Sequence, residues 1–164
     1  MNNLKLLLTK PLQLQQLPKW IPVLILVLSL VGFADATYLT VKHYQGVIPP
    51  CAISGCENVL SSSYSEILGM PVALLGLIFY LLIIISIFIY YDVKNPAIKD
   101  ICLKIVLILS FPGLLASLGF ISIMLFVLNA ICIYCMVSDV ITIFIAIFAF
   151  HLMYLGTKTN QNIL

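Results

Sequence analysis

The chain of 164 residues is 63% hydrophobic and 9% charged, with a mean hydropathy of +1.19 and a formal net charge of +2. A soluble domain of this length needs a much larger polar surface, so the composition excludes one and predicts an integral membrane protein. We expect membrane lipid as a partner and no nucleic acid.

Four hydrophobic stretches predict transmembrane helices, because each provides the roughly 20 residues that cross about 30 Å of hydrocarbon. These stretches, helices one to four, are Trp20–His43, Gly69–Tyr91, Ile101–Leu128 and Ile131–Tyr154. The fold class is therefore an all-α membrane protein. We predict a four-transmembrane-helix bundle over residues 20–156, with an N-terminal arm at 1–19 and a tail at 157–164. The first stretch is too long for a signal-peptide core and lacks a small-residue cleavage site, so we expect it to remain as a helix.

The lysines predict the orientation of this bundle, since the chain has no arginine. Seven of the eight fall on one side: Lys5, Lys10, Lys19, Lys94, Lys99, Lys104 and Lys158. Only Lys42 borders the loop between helices one and two. The positive-inside rule then predicts an inner-membrane protein with both termini in the cytoplasm. The loop between helices one and two, and the start of helix four, would face the oxidising periplasm.

The loop between helices one and two is the only sizeable polar region. Residues 49–50 are both proline and keep the chain extended before Cys51, while the Ser-Gly pair at 54–55 favours a turn before Cys56. Over residues 57–68 the apolar side chains recur at helical spacing. We therefore predict a short outer-loop helix over 57–68 that caps the bundle at the interface.

Cys132 and Cys135 stand at the predicted mouth of helix four, separated by two residues. Two thiols at this spacing are typical of a redox disulfide or of half a metal site, and on a helix they project from one face. At a helix N-terminus the free amides and the macrodipole favour the thiolate, which raises reactivity. The alternative is a pair of packing cysteines, but the spacing, the position and the presence of a second pair favour redox chemistry.

The second pair, Cys51 and Cys56, is separated by four residues in the predicted loop. A static structural disulfide is one interpretation, but a bridge that closes so small a loop stabilises little, which favours an exchangeable one. A four-cysteine zinc site is another alternative, although structural zinc usually draws its ligands from compact knuckles. Cys102 opens helix three on the opposite side, where a packing thiol is expected.

Two acids lie within the apolar helices. Asp139 follows Cys135 by four residues and Cys132 by seven, so the three share one stripe of helix four. Asp35 lies seven residues before Lys42 in helix one, at a similar depth. An acid inside a membrane is costly, so each should face the bundle or a polar cavity. Either Asp139, together with Asp35, handles protons at a quinone carbonyl, or each is a protonated acid hydrogen-bonded between helices.

Five sequence features occur together in one known family. They are the pair Cys51/Cys56, the following Val-Leu-Ser-Ser at 59–62, Gly-Met-Pro-Val-Ala-Leu-Leu-Gly at 69–76, Cys132-Ile-Tyr-Cys135, and the pattern Gly32…Asp35…Tyr38-Leu39-Thr40…His43-Tyr44. On these residues, which span most of the chain from Gly32 to Asp139, the sequence resembles the vitamin K epoxide reductase family, specifically its bacterial stand-alone form.

The resemblance implies a four-helix bundle around a quinone, with electrons passed in steps. Cys51 would exchange with a thioredoxin-like partner, and Cys56 would pass electrons to Cys132. Cys135 would then be the thiolate facing the quinone, and Ser62 matches the hydroxyl residue that the family has near that pocket.

Two positions depart from the vertebrate pattern, which has tyrosine where this chain has Asp139 and asparagine where it has Val72. These changes favour an ordinary membrane quinone, menaquinone or ubiquinone, over vitamin K epoxide. Many bacterial members carry a fused thioredoxin-like domain, whereas this sequence ends at Leu164. The expected partner is therefore a separate periplasmic thioredoxin-like thiol oxidase.

From these observations we predict a quinone-dependent membrane thiol oxidoreductase, with catalytic cysteines at 51, 56, 132 and 135 and quinone-binding residues Asp139, Ser62 and Asp35. The alternative function is a metal-handling membrane protein that uses the same four cysteines. A scaffold with inert disulfides is a third interpretation. The other family of four-helix quinone-linked oxidases has its short-spaced pair in the first outer loop, whereas here that pair lies on helix four.

Overall fold

The computed structural model describes residues 18, 20–51, 55–67 and 69–161. Its long helices are α1 (Trp20–Tyr44), α3 (Val72–Asp92), α4 (Pro96–Ser122) and α5 (Ile133–Gln161). Between α1 and α3 lie the short helix α2 (Cys56–Leu60), a 3-10 turn (Ser63–Ser65) and strands β1 (Glu66–Ile67) and β2 (Met70–Pro71). A five-residue π-helix (Ile123–Val127) continues α4. The predicted arm lies outside the described residues apart from Pro18, and α5 continues into the predicted tail as far as Gln161.

Four helices in the described part of the chain are long and apolar enough to cross a membrane, which confirms the predicted four-transmembrane-helix bundle. Their outward side chains are largely hydrophobic; Phe126, for example, is 81% exposed. Helices that contact lipid need no polar stripe, so an apolar outer surface is expected here. The third span begins at Pro96, before the predicted start, because the Asn95 side chain caps the helix by accepting from the Ala97 amide at 3.0 Å.

The four long helices pack in a ring, with α1 and α4 each in contact with both α3 and α5. Their shared core is mostly aliphatic. Five isoleucines from three helices form its centre with no exposed surface: Ile21, Ile25, Ile83, Ile87 and Ile145. Burying an aliphatic side chain of this size gains roughly 1.5–3 kcal/mol in water, but in lipid the close fit between the helices is the larger contribution.

The two ends of the bundle differ in chemistry. The turn between α3 and α4 carries Lys94, and nearby Lys104 forms an ion pair with Asp100 at 2.8 Å. The opposite end carries the α1–α3 loop and the start of α5, with four of the five cysteines. We call this second end the cysteine end.

The α1–α3 loop differs from the predicted single helix over residues 57–68, and that prediction was wrong in extent. α2 ends at Leu60, and the hydroxyls of Ser61 and Ser62 bond to main-chain carbonyls three or four residues back. Serine hydroxyls that compete for main-chain groups disfavour helix continuation. Gly69, with φ of +77°, then turns the chain so that β1 and β2 pair as an antiparallel hairpin.

A tight turn leads from the π-helix to α5. The Leu128 amide bonds to the Ile123 carbonyl at 2.9 Å, and Asn129 adopts a φ of +46°. Asparagine tolerates this left-handed conformation better than most residues. The turn allows the chain to reverse within a few residues and to enter α5 with Cys132 fully buried.

Gly32 of α1 lies directly against the ring of Tyr80 of α3, and a Cβ atom at position 32 would overlap that ring. Gly32→Ala should therefore force the two helices apart and lower the free energy of unfolding by about 1–3 kcal/mol, the usual cost of overpacking. Thermal unfolding of the purified protein in detergent measures this loss. Gly119→Ala is the matched control, since nothing lies within 4 Å of its Cβ position. An equal loss in both variants would contradict the prediction.

Candidate functional site

Four cysteines meet at the cysteine end. Cys51 and Cys56, the loop pair, form a disulfide, whereas Cys132 and Cys135, the helix pair, are thiols. Cys56 is 1% exposed and Cys132 is fully buried; both belong to one hydrophobic cluster, against which the other two cysteines pack. The two pairs, which the lysine distribution predicts on one side of the membrane, are packed together in the fold. Cys102 is buried in the main core near the opposite end, where a packing thiol was predicted.

Cys132 is the residue immediately before α5 and acts as its cap. Its Sγ accepts hydrogen bonds from the Cys135 amide at 3.4 Å and from the Cys135 thiol at 2.7 Å. The hydrogen bond from the Cys135 thiol is the main cause that lowers the pKa of Cys132 below its ordinary value. Burial opposes this effect, and hydrogen bonds from the amides of Cys135 and Tyr134 add to it. Sequence reasoning expected a thiolate at this helix mouth, and the resemblance implied that Cys135 is that thiolate, whereas these hydrogen bonds favour the thiolate form at Cys132.

Gly55 explains how the loop pair comes so close to the helix pair. It directly precedes Cys56, has a φ of +140°, and lies against the main chain of Ile131, with its Cβ position 3.0 Å from the nitrogen and oxygen of that residue. Only glycine combines this main-chain conformation with so close an approach. The loop can therefore seat Cys56 at the mouth of α5. Ser54, the other half of the predicted turn, lies outside the described residues.

A cavity of about 440 Å³ lies beside the helix pair. The four long helices and the α1–α3 loop all contribute to its wall, which is mostly apolar. Cys135, Asp139 and Ser62 are among its few polar lining groups. This size, with a few polar groups in an apolar wall, is typical of a site for a small organic molecule.

The cavity is open to the side. Its wall includes Ile78 and Leu82 of α3 and Pro112 and Ala116 of α4, and all four side chains are also exposed on the outer surface of the bundle. An opening between α3 and α4 within the spanning segments leads into the hydrocarbon region of a bilayer. A lipid-soluble ligand can therefore enter without passing through water.

Asp139 lies one helical turn beyond Cys135 and lines the cavity. It is 8% exposed, and its Oδ2 is buried without a hydrogen-bond partner, while the Ser117 hydroxyl bonds to its carboxyl group. A buried polar atom without a partner costs about 1–3 kcal/mol. The predicted stripe of Cys132, Cys135 and Asp139 therefore ends in a buried carboxyl oxygen without a hydrogen-bond partner.

Asp35 occupies a different place from the one predicted for a quinone-binding residue. It is half-buried on α1 and also has a buried Oδ2 without a partner, but it is not among the described residues that line the cavity. It interacts electrostatically with Cys132 and Tyr80. Of the two predicted acids, Asp139 thus lies in the cavity wall, whereas Asp35 lies near the thiols and outside the described wall.

Tyr80 is a polar wall residue that sequence reasoning missed. Its hydroxyl donates to the Ser138 carbonyl at 2.9 Å and lies 3.0 Å from the Ser138 hydroxyl and 2.9 Å from the Thr142 hydroxyl. These partners stand on either side of Asp139 in sequence, so Tyr80 fixes the part of α5 that carries the carboxyl. The sequence contains one signal that could have identified Tyr80, a tyrosine within an apolar helix. A buried tyrosine hydroxyl needs a hydrogen-bond partner, which predicts a contact with another helix.

The contact between His43 and Glu66 was also missed. His43 Nε2 lies 3.3 Å from Glu66 Oε1, and His43 is part of the cavity wall. Glu66 belongs to β1, so this contact ties the hairpin to the end of α1 above the cavity. No local pattern could reveal the pair, because its two residues lie far apart in sequence.

The described residues contain no group of three or more His, Cys, Asp or Glu side chains that could hold a metal ion. The loop pair and the helix pair are arranged as a disulfide and a neighbouring dithiol. This arrangement suits thiol–disulfide exchange, in which two sulfurs must approach in line with an existing S–S bond.

One family model matches the chain. Its description is "Vitamin K epoxide reductase family", and the match covers residues 23–150, which include both cysteine pairs, Asp35, Ser62 and Asp139. No curated protein matches the chain.

Proposed function

The chain belongs to the vitamin K epoxide reductase family, and from this membership we propose that it is a quinone-dependent oxidase of a separate thioredoxin-like protein. Family membership, four spanning helices and a disulfide beside a dithiol make it a membrane thiol–disulfide oxidoreductase. The proposal adds the donor, the acceptor and the direction of electron flow.

One observation carries this proposal. Cys56 of the loop pair and Cys132 of the helix pair share a buried cluster, and Cys135 lines a cavity that opens towards lipid. The sulfurs therefore form a continuous series from a loop at the membrane surface to a site for an apolar ligand. A purely structural disulfide would not need a dithiol and a cavity at its side.

The proposed cycle begins when a thiolate of the partner attacks Cys51, forms a mixed disulfide and releases Cys56 as a thiolate. The second thiolate of the partner then closes its own disulfide and releases Cys51. Cys56 next attacks Cys132 of an oxidised helix pair, which frees Cys135. Cys51 attacks Cys56, which restores the loop disulfide and leaves the helix pair as two thiols. The structure has this arrangement, with the loop pair oxidised and the helix pair reduced.

The cavity residues fit a quinone. The apolar wall suits a ring and a prenyl tail, and its polar groups are few. When bound, a quinone would supply the capacity to accept two electrons and two protons. Cys135 presents its thiol to the cavity, and Asp139 can hold a proton at its unpartnered Oδ2. The Ser62 hydroxyl donates its hydrogen to the Val59 carbonyl at 2.7 Å, so its oxygen remains an acceptor.

Asp35 has a separate role in this proposal. Because it lies beside the thiols and not in the cavity wall, we assign it to proton uptake from the helix pair. A carboxyl oxygen without a partner near two thiols is a suitable proton acceptor.

The lysine distribution supports an inner-membrane location with cytoplasmic termini and the cysteine end in the periplasm. In that compartment a secreted thiol oxidase must be re-oxidised continually, and a disulfide at the membrane surface can serve it. The proposed acceptor is the quinone of that membrane, menaquinone or ubiquinone.

The proposal is tested with purified protein in lipid nanodiscs, a short-chain quinone and a reduced thioredoxin-like domain. We expect one quinone to be reduced for each disulfide formed in the donor, followed by quinone absorbance and thiol titration. Omission of the donor is the control. Loss of donor thiols without quinone reduction would contradict the proposal, and one metal ion bound by all four cysteines would support the metal-handling alternative.

A further inference from the structure

One of the two residues between the helix-pair cysteines, Tyr134, reaches the residue next to the loop pair. Tyr134 donates a hydrogen bond from its hydroxyl to the Pro50 carbonyl at 3.1 Å, and Pro50 directly precedes Cys51. The contact joins residues 84 apart in sequence. It connects α5, which begins directly after Cys132, to the residue that directly precedes Cys51.

Tyr134 is itself held in place from α1. Its ring packs against the ring of Tyr38, with centroids 5.6 Å apart, and the Lys42 ammonium lies 5.8 Å from the Tyr38 ring. A tyrosine supported on one side by another helix keeps its hydroxyl in a restricted set of positions. The hydroxyl can therefore act as a fixed point for the loop.

The loop pair is thus attached at two places, one beside each cysteine. Gly55 lies against the main chain of Ile131 next to Cys56, and Pro50 is bonded to Tyr134 next to Cys51. While the disulfide is closed, it holds the two cysteines together by itself. Once it opens, these two attachments, together with the packing of the hydrophobic cluster, keep each cysteine near the mouth of α5.

We propose that Tyr134 is a positioning residue for exchange between the two cysteine pairs, acting through the hydrogen bond from its hydroxyl to the Pro50 carbonyl. This inference rests on the proposed function and concerns the step in which the loop pair exchanges with the helix pair. Attached to Tyr134, the Cys51 side of the open loop stays within reach of Cys56.

The step that depends on this attachment is the last one of the exchange. In the mixed disulfide between Cys56 and Cys132, the Cys51 thiolate attacks the Cys56 sulfur. The Cys51–Cys56 bond forms, the Cys56–Cys132 bond breaks, and Cys132 leaves with the electron pair as a thiolate. The lowered pKa of Cys132 favours this departure. No further oxidant or reductant is needed, because one disulfide replaces another.

Tyr134→Phe removes the hydroxyl and keeps the ring. The fully oxidised protein is mixed with dithiothreitol, quenched with acid, alkylated and digested, and its disulfides are mapped by mass spectrometry over time. Loss of one hydrogen bond corresponds to a rate change of about two- to tenfold. We expect reduction of the helix pair to slow by that factor and the Cys56–Cys132 mixed disulfide to accumulate. Tyr44→Phe, at the cysteine end of α1, is the matched control and should leave both measurements unchanged.

A second background separates positioning from a general structural effect. With Cys51→Ala and Cys56→Ala, dithiothreitol must reduce the helix pair directly, and there Tyr134→Phe should have no effect. Equal slowing in both backgrounds, or no slowing in the full chain, would overturn the role of Tyr134 while leaving the proposed function intact. Failure of the unaltered protein to pass electrons from the loop pair to the helix pair would overturn both.

Discussion

Cys135→Ser is expected to reduce quinone turnover by at least about 10³-fold, the scale on which removal of a reacting nucleophile acts. The reason is that Cys135 is the thiol in the cavity wall and the only partner that Cys132 has within the helix pair. The Cys132 thiolate can then attack the buried Cys56 of the same cluster and release Cys51 as a thiolate. We therefore also expect a Cys56–Cys132 cross-link in a measurable fraction of the molecules.

Quinone absorbance measures the first effect, and non-reducing peptide mapping measures the second. Cys102→Ala is the matched control, since Cys102 is buried in the main core away from the other four cysteines. It should leave the turnover within about twofold of the unaltered protein, as is usual for a small change distant from the reacting groups. Retained turnover in Cys135→Ser would show that electrons leave the protein by another route.

Asp139→Asn should slow quinone reduction by about 10²-fold, the lower end of what a positioned acid–base group contributes. Asparagine keeps the size and shape of the side chain, and its amide cannot deliver an acidic proton. The change also removes a carboxyl whose Oδ2 has no partner. The free energy of unfolding should therefore stay constant or rise while turnover falls, a combination that a folding defect cannot produce.

Single-turnover experiments locate this effect. Exchange between the loop pair and the helix pair should proceed normally in Asp139→Asn, and only the re-oxidation of the helix pair by quinone should be slow. Asp35→Asn is the comparison, because Asp35 lies beside the thiols and outside the cavity wall; it should affect the quinone step less than Asp139→Asn does. An unchanged rate of re-oxidation in Asp139→Asn would remove Asp139 from the mechanism.

The membrane-spanning architecture could be predicted from the sequence because it depends on local properties. A stretch such as Val72–Asp92 is apolar enough to be recognised as a transmembrane helix without reference to the rest of the chain. The start of the following helix, α4, was misjudged, because the Asn95 cap decides where that helix begins. The hairpin at 66–71 was missed because serine side chains and Gly69, rather than hydrophobic spacing, determine where α2 stops.

The candidate site could be predicted only along single helices. The spacing of Cys135 and Asp139 determines that they share a face of α5, and both line the cavity, whereas Cys132 directly precedes the helix. The contacts of Tyr80 with α5 and of Tyr134 with the loop join residues 58 to 84 apart, and no periodicity encodes them. For the same reason the neighbours that Asp35 faces could not be predicted from sequence. The functional roles of these residues stay predictions.

The placement of the cavity at the cysteine end determines how the reaction relates to the membrane potential. Asp139, one of the proposed proton carriers, is seven residues beyond Cys132, or about 10 Å into a hydrocarbon layer of roughly 30 Å. Moving one elementary charge across the whole layer involves about 2.3 kcal/mol per 100 mV. Since sulfurs, acids and cavity share one side, electrons and protons travel together over a short distance, and no net charge crosses to the other face. Turnover should therefore be electrically silent, with the same driving force in energised and de-energised membranes.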